Sequence, residues 1–202
     1  MIAIIDYGAG NILSIARALE AVGAKVQVTD EADVVRNSGA VVLPGVGSGG
    51  AAMARMCQQK LDDAIRQATE EHKPFLGICL GMQLLADHHD EGEVGGLQLF
   101  SGTVRKIPAG PKVPHMGWNQ IQPTRTDLPI FANIPADAYF YFAHSYYVEP
   151  QDQQGVAALT EYGALFCSVI ATERVWGTQF HPEKSGEPGL QLLRNFVKWV
   201  QS

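Results

Sequence analysis

The sequence predicts an α/β fold: a doubly wound, mostly parallel sheet flanked by helices, with additional antiparallel strands in the second half. Apolar strand-like runs alternate with helical patterns through the first ninety residues. Glycine-rich turns follow several of those runs. From Leu97 onward the pattern changes to short strand-like pieces broken by Pro and Gly. Ile2-Ala3-Ile4-Ile5 reads as a buried strand. A helix follows from about Asn11, with Ile12, Ile15, Ala16, Leu19 and Val22 at helical spacing and Gly23 as its stop. Lys25 to Thr29 alternates as a second strand, Val34-Val35 belongs to a short helix or turn, and Ala40 to Leu43 is a third strand. Helical patterns over Ala51 to Gln58 and Leu61 to Glu71 lead to a fourth strand, Phe75 to Ile78, with helix again over Gly81 to Ala86.

Asp87 to Glu93 reads as a charged, solvated loop that includes His88-His89. The strand-like pieces of the second half are Leu97 to Phe100, Gly102 to Ile107, Val113 to Ile121, Ala138 to Phe142, Tyr146 to Val148, Val156 to Leu159, Leu165 to Ile170 and Val175 to Phe180. They resemble hairpins packed beside the parallel sheet. Gly186 to Val200 closes the chain as an amphipathic helix with Leu190, Leu193, Phe196, Val197 and Val200 on its apolar face. Without a linker, repeat or low-complexity tract, residues 1–202 are expected to form a single domain.

Composition bounds the chemistry. The 202 residues suffice for a substantial core, and 46% hydrophobic against 18% charged residues argues against disorder. A net charge of −6 gives a nucleic-acid partner little electrostatic support. No apolar run reaches membrane-spanning length, and MIAIIDYGAG has no basic leader, so neither a membrane span nor a signal peptide is expected. Cys57, Cys79 and Cys167 form no CxxC pair and leave one thiol over, which fits a reducing cytoplasm. The six histidines show no HExxH or Cys/His zinc spacing, so no metal and no cofactor are expected.

Two stretches carry chemistry. Gly77-Ile78-Cys79-Leu80-Gly81 places a Cys between small residues at a strand-to-helix turn. A nucleophile there needs small neighbours because the turn is strained and closely packed, and the first helical turn points N–H groups at the sulfur. The alternative is a buried core cysteine. About a hundred residues on, His181-Pro182-Glu183 follows the last strand. Extended geometry would place His181 and Glu183 on one side, where a carboxylate fixes the imidazole tautomer and stabilises the imidazolium. A strand-end His is alternatively a packing residue.

Two glycine-rich loops complete the set. Pro44-Gly45-Val46-Gly47-Ser48-Gly49-Gly50 follows the third strand, at the sheet end where open parallel sheets bind ligands. Its N–H groups are free to face an oxyanion, though it reads equally as a helix-leading turn, and it lacks the G-K-[ST] ending of a phosphate loop. Gly8-Ala9-Gly10 lacks the third glycine of a dinucleotide fingerprint, since residue 13 is Leu.

Pro44 to Gly47, Gly77 to Gln83 and His181-Pro182-Glu183 together resemble the class I glutamine amidotransferase family over essentially the whole chain. Asp6 to Asn11, Pro114-His115-Met116-Gly117-Trp118-Asn119, Tyr141 to Tyr146 and His181 to Ser185 narrow the resemblance to glutaminase subunits of imidazole glycerol phosphate synthases. The resemblance implies a Cys79-His181-Glu183 triad. It implies an oxyanion hole from the N–H of Leu80 and one from Val46 or Gly47. Glutamine is expected to contact Gly47, Gln83, Glu91 and the backbone of Ser145-Tyr146. It further implies a heterodimer with a (β/α)8-barrel cyclase subunit, which takes the ammonia to make imidazole glycerol phosphate and aminoimidazole carboxamide ribonucleotide. Asn11, Trp118, Asn119 and Lys184 are then expected near the partner, with core packing as the alternative for Trp118. Competing functions are the glutaminase of another amidotransferase, such as those for anthranilate or pyridoxal phosphate, a cysteine peptidase, and a catalytically silent binding module of the same fold.

Overall fold

The computed structural model describes residues 1–8 and 10–202, so Ala9 of the Gly8-Ala9-Gly10 turn lies outside the described residues. The chain runs β1 (Ile2–Ile5), α1 (Ile12–Ala21), β2 (Val26–Thr29), α2 (Ala32–Arg36), β3 (Ala40–Gly45), α3 (Gly49–Gln58), α4 (Leu61–Glu70), β4 (Phe75–Cys79) and α5 (Leu80–Gln83). It continues through β5 (His88–His89), β6 (Val94–Gly95), β7 (Gly102–Lys106), β8 (His115–Gln120), β9 (Gln122–Pro123) and β10 (Tyr139–His144). β11 (Tyr146–Pro150), β12 (Val156–Glu161), β13 (Leu165–Ala171), β14 (Val175–Thr178), a 3₁₀ turn over Pro182–Lys184 and α6 (Gly186–Val200) complete it.

The fold is α/β, as expected. Strands β2-β1-β3-β4-β14 pair in that order and all in parallel. β1, β3 and β4 are buried throughout, which is why they read as unbroken apolar runs rather than alternating ones. β2 is the edge and exposes Gln27 and Val28. One apolar cluster joins Ile4, Ile15, Leu19 and Val42 to Leu192, Leu193 and Phe196 of α6. The other joins Ile5, Val41 and Leu43 to Met56, Leu61 and Ile65 of α3 and α4. Alternate residues of β1 and β3 therefore face opposite layers, as the two-residue strand period requires. α6 has the expected bounds. Phe196 is fully buried, a contribution of about 1.5–3 kcal/mol, and Trp199 stacks on Trp176 with centroids 4.4 Å apart.

Three expectations are corrected. The antiparallel strands mostly extend the parallel sheet rather than pack beside it. β13 pairs with β14, and β11 and β7 continue outward; β8 and β10 form a separate two-stranded ribbon. Leu97 to Phe100 is not a strand. Its N–H groups go to the last carbonyls of the α5 segment, Leu97 to Leu84 O and Phe100 to Leu85 O, so it caps that helical end. His88-His89 is not a solvated loop either. It forms β5 against β7, and His89 is 1% exposed.

Close packing holds β4 and α5 in place. A Cβ on Gly81 would stand 1.7 Å from the Leu43 carbonyl oxygen, and one on Gly77 would stand 2.7 Å from Gly81 O. Gly81→Ala is therefore expected to destabilise the fold by about 3 kcal/mol, the upper end of overpacking penalties, read as a lowered urea midpoint.

Candidate active site

The C-terminal ends of three adjacent parallel strands build the site. β4 lies between β3 and β14, with Gly45 opposite Cys79 and Thr178 opposite Ile78. Residues that leave these strands thus emerge side by side, although up to 133 positions separate the strand ends along the chain. Cys79 closes β4 at φ 55°, ψ −109°. A non-glycine residue held there costs about 1–3 kcal/mol, which is the geometry expected of a nucleophile turn. α5 is only four residues long. A long helix dipole is therefore absent at the sulfur, and what the helix can contribute comes from the local N–H groups of its first turn.

His181 is extended, and its side chain and that of Glu183 are 4% and 1% exposed. Nδ1 of His181 lies 2.9 Å from Glu183 Oε1. Glu183 does not continue the strand, as expected from spacing, but comes from the Pro182–Lys184 turn, where Pro182 supplies a fixed φ at the first position. The turn is tied to the β8–β10 ribbon. The N–H of His181 donates to Tyr141 O at 2.9 Å, and the Ser185 hydroxyl donates to His181 O while accepting from the Tyr141 N–H. Burial disfavours the His181 imidazolium, but its interactions with Cys79 and Glu183 outweigh that and raise its pKa to about 9. With Nδ1–H directed at the carboxylate, Nε2 is the nitrogen left for the thiol.

A cavity of about 270 Å³ opens beside Cys79. It is lined by Val46, Gly47, Leu80, Gln83, Glu91, Pro114, Met116, Ala143, His144 and Ser145-Tyr146. Every residue expected to contact glutamine is therefore at one cavity. Gln83 is 5% exposed, and its Nε2 donates to Tyr146 O at 2.7 Å and to Gln179 Oε1 at 3.0 Å. Glu91 accepts the Gly49 N–H through Oε2 at 3.0 Å, which ties the cavity wall to the start of α3. A larger cavity beside Trp176 and Trp199 contains none of these groups.

The four positions expected near a partner divide in two. Trp118 is 56% exposed, which removes the core-packing alternative, and Lys184 is exposed too. Asn119 donates internally to Glu161 O, and Asn11 donates to Glu183 Oε1 at 2.6 Å. Asn11 thus supports the carboxylate that holds His181, a role that spacing could not reveal across 172 residues.

Sequence reasoning also missed three buried polar residues. Gln179 donates to Cys79 Sγ at 3.7 Å. His144 Nδ1 lies 2.8 Å from Tyr146 O, so it donates there, and its Nε2 accepts from His115 Nδ1 at 3.0 Å. Burial lowers His144 to about 3 and His115 to about 4, so both are neutral linkers behind the Ser145-Tyr146 backbone. The only available signal was their place in the PHMGWN and YFAHSY runs. Among the described residues no group of three or more His, Cys, Asp or Glu side chains could hold a metal ion.

Comparison with known proteins gives a consistent placement. The model of the family Glutamine amidotransferase class-I matches residues 3–199. Imidazole glycerol phosphate synthase subunit HisH of Moorella thermoacetica is 48% identical over 201 residues, covering 99% of this chain and 95% of its own. The subunit of the same name from Chloroflexus aurantiacus is 47% identical over 207 residues, covering 100% and 97%. A solved glutamine amidotransferase aligns with a TM-score of 0.79 at 16% identity, covering 100% of this chain and 99% of its own. PurLQS from Thermotoga maritima aligns with a TM-score of 0.78 at 19% identity, covering 98% of each, and at these identities both show the fold alone. The chain belongs to the class I glutamine amidotransferase family.

Proposed function

We propose that residues 1–202, acting as one domain, are the glutaminase subunit of an imidazole glycerol phosphate synthase. What supports this reading is the full-length similarity to HisH subunits, together with Cys79 and the hydrogen-bonded His181–Glu183 pair at neighbouring strand ends, beside a cavity walled by a glycine loop. The Cys79 thiol gives its proton to His181 Nε2, and the thiolate attacks the side-chain carboxamide of glutamine. The N–H of Leu80 and one from Val46 or Gly47 receive the oxyanion, and losing one such donor typically costs about 3 kcal/mol. The imidazolium protonates the departing ammonia and leaves a glutamyl thioester. His181 then activates water to release glutamate and restore the thiol. Gln83, Glu91, Ser145 and Tyr146 hold the amino-acid end of the substrate.

Ammonia is largely protonated in neutral water and is then no nucleophile, so it needs direct transfer to its acceptor. The acceptor is held by a (β/α)8-barrel cyclase subunit, in a heterodimer that makes imidazole glycerol phosphate and aminoimidazole carboxamide ribonucleotide in histidine biosynthesis. Exposed Met116, Trp118 and Tyr139 on the β8–β10 ribbon form the partner-facing surface, with Lys184 near the His181 turn. Met116 also lines the Cys79 cavity, which joins this surface to the site. The three unpaired cysteines favour a cytoplasmic setting.

Cys79→Ala is expected to lower glutamine hydrolysis by about 10⁴-fold or more with an unchanged unfolding midpoint, measured as glutamate released in the presence of the partner and its nucleotide. Robust cleavage of peptides with none of glutamine would overturn the reading. Wild-type hydrolysis is expected to be weak without the partner, because uncoupled turnover wastes ammonia; equal rates with and without it would contradict this. The pH profile follows from His181. In the free enzyme its proton is held below about pH 9 and lost above, and ammonia departure needs it, so kcat/KM should fall with a midpoint near pH 9. Glu183→Gln removes one of the interactions that raise His181 and should move that limb to lower pH.

A further inference from the structure

Tyr7 follows β1 and is 3% exposed, yet its hydroxyl has no hydrogen-bond partner among the described residues. A buried donor left unpaired costs about 1–3 kcal/mol, a cost that phenylalanine would avoid in the same space. The hydroxyl lies against Gly45. A Cβ on Gly45 would stand 2.4 Å from it, and 3.0 Å from Leu80 Cβ. Gly45 is the residue opposite Cys79 in the sheet, and it opens the loop that carries Val46 and Gly47.

That loop has space on both sides. Val46 and Gly47 line the Cys79 cavity, and they also line a second cavity of about 190 Å³ bordered by Tyr7, Ser48 and Arg55. A trans peptide points its N–H and C=O in opposite directions. When the Gly45–Val46 peptide presents its N–H to Cys79, its carbonyl turns away from Cys79, and Tyr7 borders the loop at the second cavity. The absence of a Cβ on Gly45 and the left-handed φ of 94° at Gly47 give the segment the freedom to make that turn.

We propose that Tyr7 is a positioning residue for the oxyanion loop: its hydroxyl donates to the Gly45 carbonyl when the Gly45–Val46 peptide turns its N–H to the reacting carbonyl carbon's oxygen. The unpartnered phenol of this structure is then the vacant half of a hydrogen bond made during turnover. Burial first, and the nearby Cys79 second, hold the phenol well above the ordinary tyrosine range, so it remains a donor at any working pH. This inference rests on the glutaminase reading above.

The test compares wild type and Tyr7→Phe, each assembled with the partner subunit. Glutamine turnover, alkylation of Cys79 by iodoacetamide and thermal unfolding are measured. Alkylation displaces iodide at a tetrahedral carbon and develops no oxyanion, so it reports the thiol without the loop. The expected result is a kcat about 10-fold or more lower, with KM for glutamine and the alkylation rate both within about twofold and an unfolding temperature equal or higher. An unchanged kcat, a loss confined to KM, alkylation falling in parallel with turnover, or a clear drop in unfolding temperature each overturns the proposal. A wild-type complex that alkylates normally but hydrolyses no glutamine overturns the glutaminase reading itself, and the inference with it.

Discussion

The contact on which the site depends is the one between α5 and the strand ends beside it. Cys79 sits at φ 55° because the chain must leave β4 and enter a helix within one residue, with β3 on one side and β14 on the other. Glycines make that approach possible. Gly81 meets Leu43 O, Gly77 meets Gly81, and a Cβ on Gly177 would stand 2.9 Å from Met82 Cγ. A side chain at any of these places would lift the helix from the sheet and swing the sulfur out of line. Strain at Cys79 is thus maintained by packing on three sides, since a buried core offers the backbone no relaxed alternative.

Electrostatics builds on that frame. Glu183 Oε1 receives both His181 Nδ1–H and Asn11 Nδ2–H, while the buried Oε2 has no partner among the described residues. The imidazolium gains from this carboxylate and from the cysteine more than it loses by burial. His144, which lines the same cavity, and His115 behind it show the opposite balance. They face each other and a carbonyl instead of a carboxylate, so burial keeps them neutral. Three histidines of one neighbourhood take different charge states because of what each ring nitrogen faces.

Much of this was legible in the chain itself. Buried parallel strands appear as apolar runs, so β1, β3 and β4 were found within a residue or two. α6 was found within its bounds, because a helix that covers a sheet must repeat its apolar face every three to four residues. The glycine-flanked cysteine was legible because a strained turn tolerates few residue types. Leu97 to Phe100 was misread because an apolar run that caps a helix has the same composition as one that pairs in a sheet. His88-His89 was misread because charged neighbours masked a short strand whose burial comes from β7.

The residues alone carry the class of the fold and mark Cys79, His181 and Glu183 as the candidate thiol, imidazole and carboxylate of one site. Each leaves a local mark: a period, a glycine, or a proline between two functional groups. The folded chain adds that β4 lies between β3 and β14, that Asn11 reaches Glu183, that Trp118 is exposed, and that Tyr7 borders the glycine loop with its hydroxyl unpartnered among the described residues. These are contacts between residues far apart in the chain, set by strand order and layer packing. No local pattern encodes them.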